Sequence, residues 1–136
     1  MTRHQSFSAF ERTRHDHASE TAEDYVEAIE KLIISHSCCR VTDLANEFGV
    51  SHVTALKNVR RLERDGFAVT EPRMPITLTP KGKRLAKKCK ERHQIVYDFL
   101  RSIGVNKRTA AIDSEGIEHH VSPETLRKMK TVTKNK

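Results

Sequence analysis

The chain has no tryptophan, and its five Phe and two Tyr leave aromatics at only 5% of 136 residues. With apolar residues at 36%, the hydrophobic core is lean, so burial by a partner subunit would help stabilise it. No apolar run approaches the ~20 residues of a membrane-spanning helix, and the N-terminal residues lack a signal-peptide core. The expectation is a cytoplasmic protein with no membrane partner. Cys38, Cys39 and Cys89 are odd in number and have no C-x-x-C spacing, which points to free reduced thiols. Five glycines supply no phosphate-cradling loop. H-E-x-x-H and a nucleophile elbow are missing as well, so neither catalysis nor an organic cofactor is expected.

Positive charge is present and concentrated. The net charge is +7, yet residues 51–92 hold twelve Lys/Arg against four Asp/Glu, while the rest holds thirteen against fourteen. A basic segment of this kind suits a nucleic-acid backbone, whose condensed counterions are released on binding. A solvated basic surface is the plain alternative.

Residues 1–19 are polar, with Phe7 and Phe10 as their large apolar side chains. They read as a mobile arm whose His4, His15 and His17 are solvated. The first helix is expected from Thr21, where Thr21-Ala22-Glu23-Asp24 resembles a capping box, with Tyr25, Ile29, Leu32 and Ile33 as its buried stripe. A short helix over residues 42–48, a turn at Gly49, and a second helix capped by Ser51 follow. Ala55, Val59 and Leu62 face inward on that second helix. Val53, Lys57, Arg60 and Arg64 point outward, flanked by Thr54 and Arg61. Two helices joined by a glycine-bearing turn, the second basic outside, describe a helix-turn-helix. Residues 68–71 and 76–79 then form a hairpin wing with Arg73 near its tip. Thr79-Pro80 opens a long helix to Ile103, with Leu85, Cys89, Val96, Phe99, Leu100 and Ile103 as its apolar face. Helices over residues 106–120 and from Ser122 complete the chain. The fold class is mainly α: an arm (1–19), a winged helix-turn-helix (20–80) and an α-helical metal-binding and dimerisation domain (81–136).

A second constellation is acidic. In Glu115-Gly116-Ile117-Glu118-His119-His120 the spacing sets Glu115, Glu118 and His119 on one helix face. Asp24 and Glu27 repeat the i, i+3 spacing on the first helix, and His93 lies on the long helix. If these four carboxylates and two imidazoles converge, they can hold two divalent ions in oxygen-rich geometry. Without thiolate ligands, hard Mn²⁺ suits the set better than Zn²⁺, although affinity alone does not reject Zn²⁺. Glu pairs at i, i+3 are also common on solvated helices, and His120 points away from the set.

Three segments together, Ala22-Glu23-Asp24-Tyr25-Val26-Glu27-Ala28-Ile29, Glu91-Arg92-His93-Gln94 and Glu115 to His120, resemble the ligand segments of the manganese-sensing branch of the diphtheria toxin repressor family. The likeness covers residues 20–125 in matching order. It implies a metal-activated repressor that binds double-stranded operator DNA as a homodimer and regulates manganese homeostasis genes such as an importer. It also implies Asp24, Glu27, His93, Glu115, Glu118 and His119 as ligands to two Mn²⁺ per subunit, with Glu115 and Glu118 as candidates to share both ions. Iron-responsive relatives carry Met and Cys where this chain has Asp24 and Glu118. DNA contacts are expected from Ser51, His52, Thr54, Lys57, Arg60, Arg61, Arg64 and Arg73. The wing departs from the family's Arg-Gly tip, and Leu56 and Asn58 depart from its small or apolar choices. The competing readings are an iron-responsive regulator, a winged-helix regulator whose acidic helices merely pair with basic ones, and a metallohydrolase built on the same carboxylates.

Overall fold

A computed structural model of the chain describes residues 3–135, with side chains before Ser19 given at Ala9 and Glu11 alone. The elements run α1 (Arg3–His36), α2 (Val41–Phe48), α3 (His52–Arg64), β1 (Ala68–Val69), β2 (Thr77–Leu78), α4 (Pro80–Ser102), α5 (Lys107–Ile117), a 3₁₀ turn (Glu118–His120) and α6 (Pro123–Lys134). They divide into two compact units: Glu20–Lys87, and Lys88–Lys136 together with the N-terminal residues.

α1 begins at Arg3, not at Thr21, so the backbone of the expected arm is helical from residue 3. The physical reason is local: residues 3–36 contain neither Gly nor Pro, and nothing interrupts propagation once the helix has nucleated. The side chains of His4, Phe7, Phe10, His15 and His17 lie outside the described residues. The helix stops at Ser37, a non-glycine residue at φ 71°.

The expected stripe on α1 is buried at Tyr25, Ile29 and Leu32 and partly buried at Ile33, and Val26 and Ala28 widen it. It packs against Leu44 and Ala45 of α2 and Ala55, Val59 and Leu62 of α3. Fully burying side chains such as Ile29, Leu44 and Val59 contributes about 1.5–3 kcal/mol each. The turn between α2 and α3 bears out the sequence: Gly49 sits at φ 63°, and Ser51 accepts from the Thr54 N–H to cap α3.

The wing is shorter than expected. β1 and β2 pair antiparallel through Ala68↔Leu78 and Val69↔Thr77 only. Pro72 and Pro75 have no N–H to give a ladder, and the Ile76 N–H donates instead to the Cys39 carbonyl at 2.8 Å. At the tip, Met74 N–H donates to the Glu71 carbonyl, with Pro72 and Arg73 between them and Arg73 at φ 66°. Proline followed by a left-handed residue defines a type II turn.

The first turns of α4 belong to this same unit. Thr79 Oγ1 accepts from the Gly82 N–H at 3.0 Å, Ala86 enters the core and Leu85 packs on it. A Cβ on Gly82 would lie 2.0 Å from the Phe67 carbonyl oxygen. The compact unit runs on to Lys87 because the start of α4 is fastened to the hairpin.

In the other unit, Cys89 and Val96 of α4 and Ala110 and Ser114 of α5 are buried. Asn106 caps α5 and Ser122 caps α6 through the N–H groups of Thr109 and Thr125. α4 ends at Ser102, and Gly104 takes φ 100°. Ile103, on the apolar face of α4, is 51% exposed in the single chain, and Ile112 is 63% exposed. The helix expected over 106–120 tightens into a 3₁₀ turn at Glu118. Such 3₁₀ turns are frequent where α-helices end. Glu118 and His119 are buried and His120 is exposed.

Candidate metal centre and nucleic-acid interface

In the helical unit, α4 supplies His93 and the end of α5 supplies Glu115 and Glu118. One donor atom from each of the three lies within 4.8 Å of the others. His93 Nδ1 lies 3.7 Å from Glu115 Oε1, and His119 Nε2 lies 3.7 Å from Glu118 Oε1. Glu118 thus stands between two imidazoles. Four of the six expected ligands share this unit, while Asp24 and Glu27, both half-buried, lie on α1 in the other. Glu115 and Glu118 point to the same place, with donor atoms within 4.8 Å of each other, as i and i+3 side chains eclipse where the helix tightens to 3₁₀.

The donor set fits a divalent ion. Hard divalent cations take oxygen ligands at about 2.0–2.6 Å, so donors around one ion lie up to about 4–5 Å apart, the spread found for His93, Glu115 and Glu118. All three offer oxygen or nitrogen. None of the donor groups among the described residues includes a cysteine; in the other unit, burial pushes the pKa of Cys39 up to about 12, with Asp43 adding to the rise. Sequence reasoning missed Ser114. Its side chain is buried, its hydroxyl donates to the Ala111 carbonyl at 3.1 Å, and its oxygen lies 3.4 Å from His93 Nδ1. A serine inside a helix carries no pattern that would single it out.

In the unit Glu20–Lys87, the expected DNA contacts Ser51, His52, Thr54, Lys57, Arg60, Arg61, Arg64 and Arg73 are all exposed. The first seven project from α3 or its cap, opposite Ala55, Val59 and Leu62. Ser51 Oγ is committed to capping and to Thr54 Oγ1. Arg64 Nε lies 3.4 Å from Asp65 Oδ1. Glu63, at the end of α3, accepts from the hydroxyl and the N–H of Thr70 in the wing. Those hydrogen bonds hold its carboxyl below the usual range. Arg40 Nη1 donates to the Arg73 carbonyl at 3.5 Å.

Residues 17–75 match the N-terminal DNA binding domain of iron dependent repressors, and residues 79–135 match their metal binding and dimerisation domain. The chain is 45% identical over 117 residues to the transcriptional regulator MntR of Salmonella typhimurium, covering 86% of this chain and 74% of that protein. It is 42% identical over 100 residues to the HTH-type transcriptional regulator MntR of Lysinibacillus sphaericus, covering 74% of this chain and 72% of that protein. A manganese-dependent transcriptional repressor solved in complex with manganese superposes with a TM-score of 0.74 at 27% identity. That match covers 83% of this chain and 52% of the solved one, so the chain spans about half the length of that repressor. No helix among the described residues is long and apolar enough to cross a membrane. With a DNA-binding domain followed by a metal-binding and dimerisation domain, the chain belongs to the iron-dependent (diphtheria toxin) repressor family of DNA-binding transcription regulators.

Proposed function

We propose that the protein is a cytoplasmic homodimer that represses manganese homeostasis genes, such as an importer, when manganese binds. The observation that carries this reading is the meeting of His93, Glu115 and Glu118 as an all-oxygen-and-nitrogen donor group. The carboxylates of Asp24 and Glu118, where iron-responsive relatives carry Met and Cys, favour manganese over iron.

His93, Glu115, Glu118 and His119 would hold metal in the helical unit, and Asp24 and Glu27 would close the site from α1. Glu118, between His93 and His119, is suited to be shared by two ions. Bound manganese supplies the positive charge that offsets repulsion among the four carboxylates. Joined through these ligands, the two units fix the spacing of the recognition helices in a dimer, which must lie ~34 Å apart to read successive half-sites. Lys57, Arg60, Arg61 and Arg64 would hold phosphates, with His52 and Thr54 toward base edges and Arg73 reaching from the wing.

The test is the metal preference of Asp24→Met. Exchanging a hard carboxylate for a soft thioether should lower Mn²⁺-activated operator binding and shift activation toward Fe²⁺ in anaerobic titrations. Unchanged Mn²⁺ activation would remove Asp24 from the ligand set.

A further inference from the structure

Asn58 lies within the recognition helix, and an asparagine there invites the reading of an adenine reader, because its carboxamide pairs with the N6 and N7 edge of adenine. The structure turns it the other way. Asn58 Nδ2 donates to the Tyr25 hydroxyl at 3.0 Å, and Asn58 is half-buried while Lys57 and Arg60 beside it are exposed. With 100° per residue, Asn58 belongs to the side of Ala55, Val59 and Leu62 rather than to the basic face.

Tyr25 is 4% exposed. Its ring stacks on Phe48, the last residue of α2, with centroids 4.4 Å apart and planes 10° from parallel. A buried tyrosine hydroxyl needs a polar partner, and Asn58 provides it. One α1 side chain therefore grips both helices of the DNA-binding motif, α2 through its ring and α3 through its hydroxyl. Tyr25 also follows Asp24 directly and precedes Glu27 by two residues, so the turn that carries the proposed metal carboxylates carries the grip as well.

We infer that Asn58 is a positioning residue: through Tyr25 it fixes the recognition helix to the metal-bearing turn of α1, so that ordering of this turn is felt by α3. The inference rests on the reading of Asp24 and Glu27 as ligands. It accounts for a polar residue at a recognition-helix position where apolar packing would otherwise serve. It also makes the hydroxyl of Tyr25, rather than its ring, the specific element of the link.

The experiment uses the full chain, Mn²⁺ alone as metal, and a duplex selected by the wild-type protein from a random pool. Operator affinity is measured with and without Mn²⁺ for wild type, Tyr25→Phe, Asn58→Ala and the double variant, and Mn²⁺ affinity is measured on the DNA-free proteins. Tyr25→Phe keeps the ring on Phe48, and a cooperative melt checks that each variant is folded. Each single variant should reduce the Mn²⁺-induced gain in operator affinity about fivefold, the scale of one lost hydrogen bond. The double variant should lose no more than the worse single, because both remove the same bond. Mn²⁺ affinity without DNA should stay within about twofold, and the tightening of Mn²⁺ by operator should fall by the same factor as the activation. A general loosening of the fold would instead weaken operator binding equally with and without metal, and that result overturns the inference. Additive losses in the double variant, or unchanged activation in both singles, overturn it too. Asp24→Ala separates the two levels. If it abolishes activation while the pair variants retain it, the link alone fails. If it leaves activation intact, the ligand reading fails and takes the link with it.

Discussion

Nε2 of His119 lies 3.7 Å from Oε1 of Glu118, and both side chains are shut off from solvent. Glu118 also shares a donor group with His93 and Glu115, the group proposed above to hold a divalent ion. Glu118→Gln removes the charge while keeping the shape. The variant should remain folded without metal, as a cooperative melt would show. It should lose most of the stabilisation that Mn²⁺ confers, which for wild type is about 2.7 kcal/mol at a hundredfold excess over Kd. Thermal melts with and without Mn²⁺ measure both; an undiminished Mn²⁺ shift in Glu118→Gln would contradict the assignment.

At the wing tip Arg73 occupies the left-handed position of a type II turn, φ 66°, where glycine is at ease and other L-residues are strained by ~1–2 kcal/mol. Arg73→Gly should therefore stabilise the protein by about 0.5–1 kcal/mol, part of the relief being lost to the greater freedom of glycine in the unfolded chain. The same variant should bind DNA more weakly and with a salt slope reduced by about 1. Stability is read by urea unfolding and affinity by fluorescence anisotropy over a salt series. Unchanged DNA affinity would remove the wing arginine from the interface.

Gly82 has a packing reason to be glycine. Its α carbon approaches the hairpin so closely that a Cβ would lie 2.0 Å from the Phe67 carbonyl oxygen. The atom it would strike is backbone and cannot rotate away. Gly82→Ala should destabilise the DNA-binding unit by about 1–3 kcal/mol despite the better helix propensity of alanine. Urea unfolding measures it, and a neutral or stabilising outcome would show that α4 can move off the hairpin.

The adjacent cysteines differ in surroundings: Cys39 is buried and Cys38 half-exposed. With its pKa pushed up to about 12 by burial, the Cys39 thiol stays protonated and inert near neutral pH. Iodoacetamide at pH 8 should label Cys38 and spare Cys39 in the folded protein, as peptide mass spectrometry would show. Because the folded-state value is raised, the stabilising contribution of the Cys39 thiol is fully present below about pH 8.5 and declines as pH rises toward the folded value. Equal labelling of both thiols would contradict the burial.

Much of the architecture was legible because it rests on periodicity and on single decisive residues. Tyr25, Ile29 and Leu32 mark one face of α1, Gly49 and Ser51 fix the turn of the helix-turn-helix, and Pro80 marks the start of α4. The length of α1 was misread because Thr21 and Asp24 have the residue types of a cap, whereas a helix with no Gly or Pro upstream need not start there. The 3₁₀ turn at Glu118 was illegible because residue types do not separate a last turn in 3₁₀ geometry from one that stays α-helical. The candidate donors stood out as clustered Asp, Glu and His, and their proposal as ligands came with the family resemblance; the meeting of His93 with Glu115 and Glu118 depends on how α4 and α5 pack, which no spacing encodes. Asn58 looked like a departure from pattern until its partner, 33 positions away in the chain, was seen.

The central claim is that metal controls DNA binding, and the most direct measurement is a gel shift on a selected palindromic duplex with and without Mn²⁺. The account predicts a homodimer on the duplex with affinity raised by about 5–150-fold when Mn²⁺ is added, reversed by a chelator and lost in Glu118→Gln. Equal affinity with and without Mn²⁺ in metal-stripped wild-type protein would contradict it.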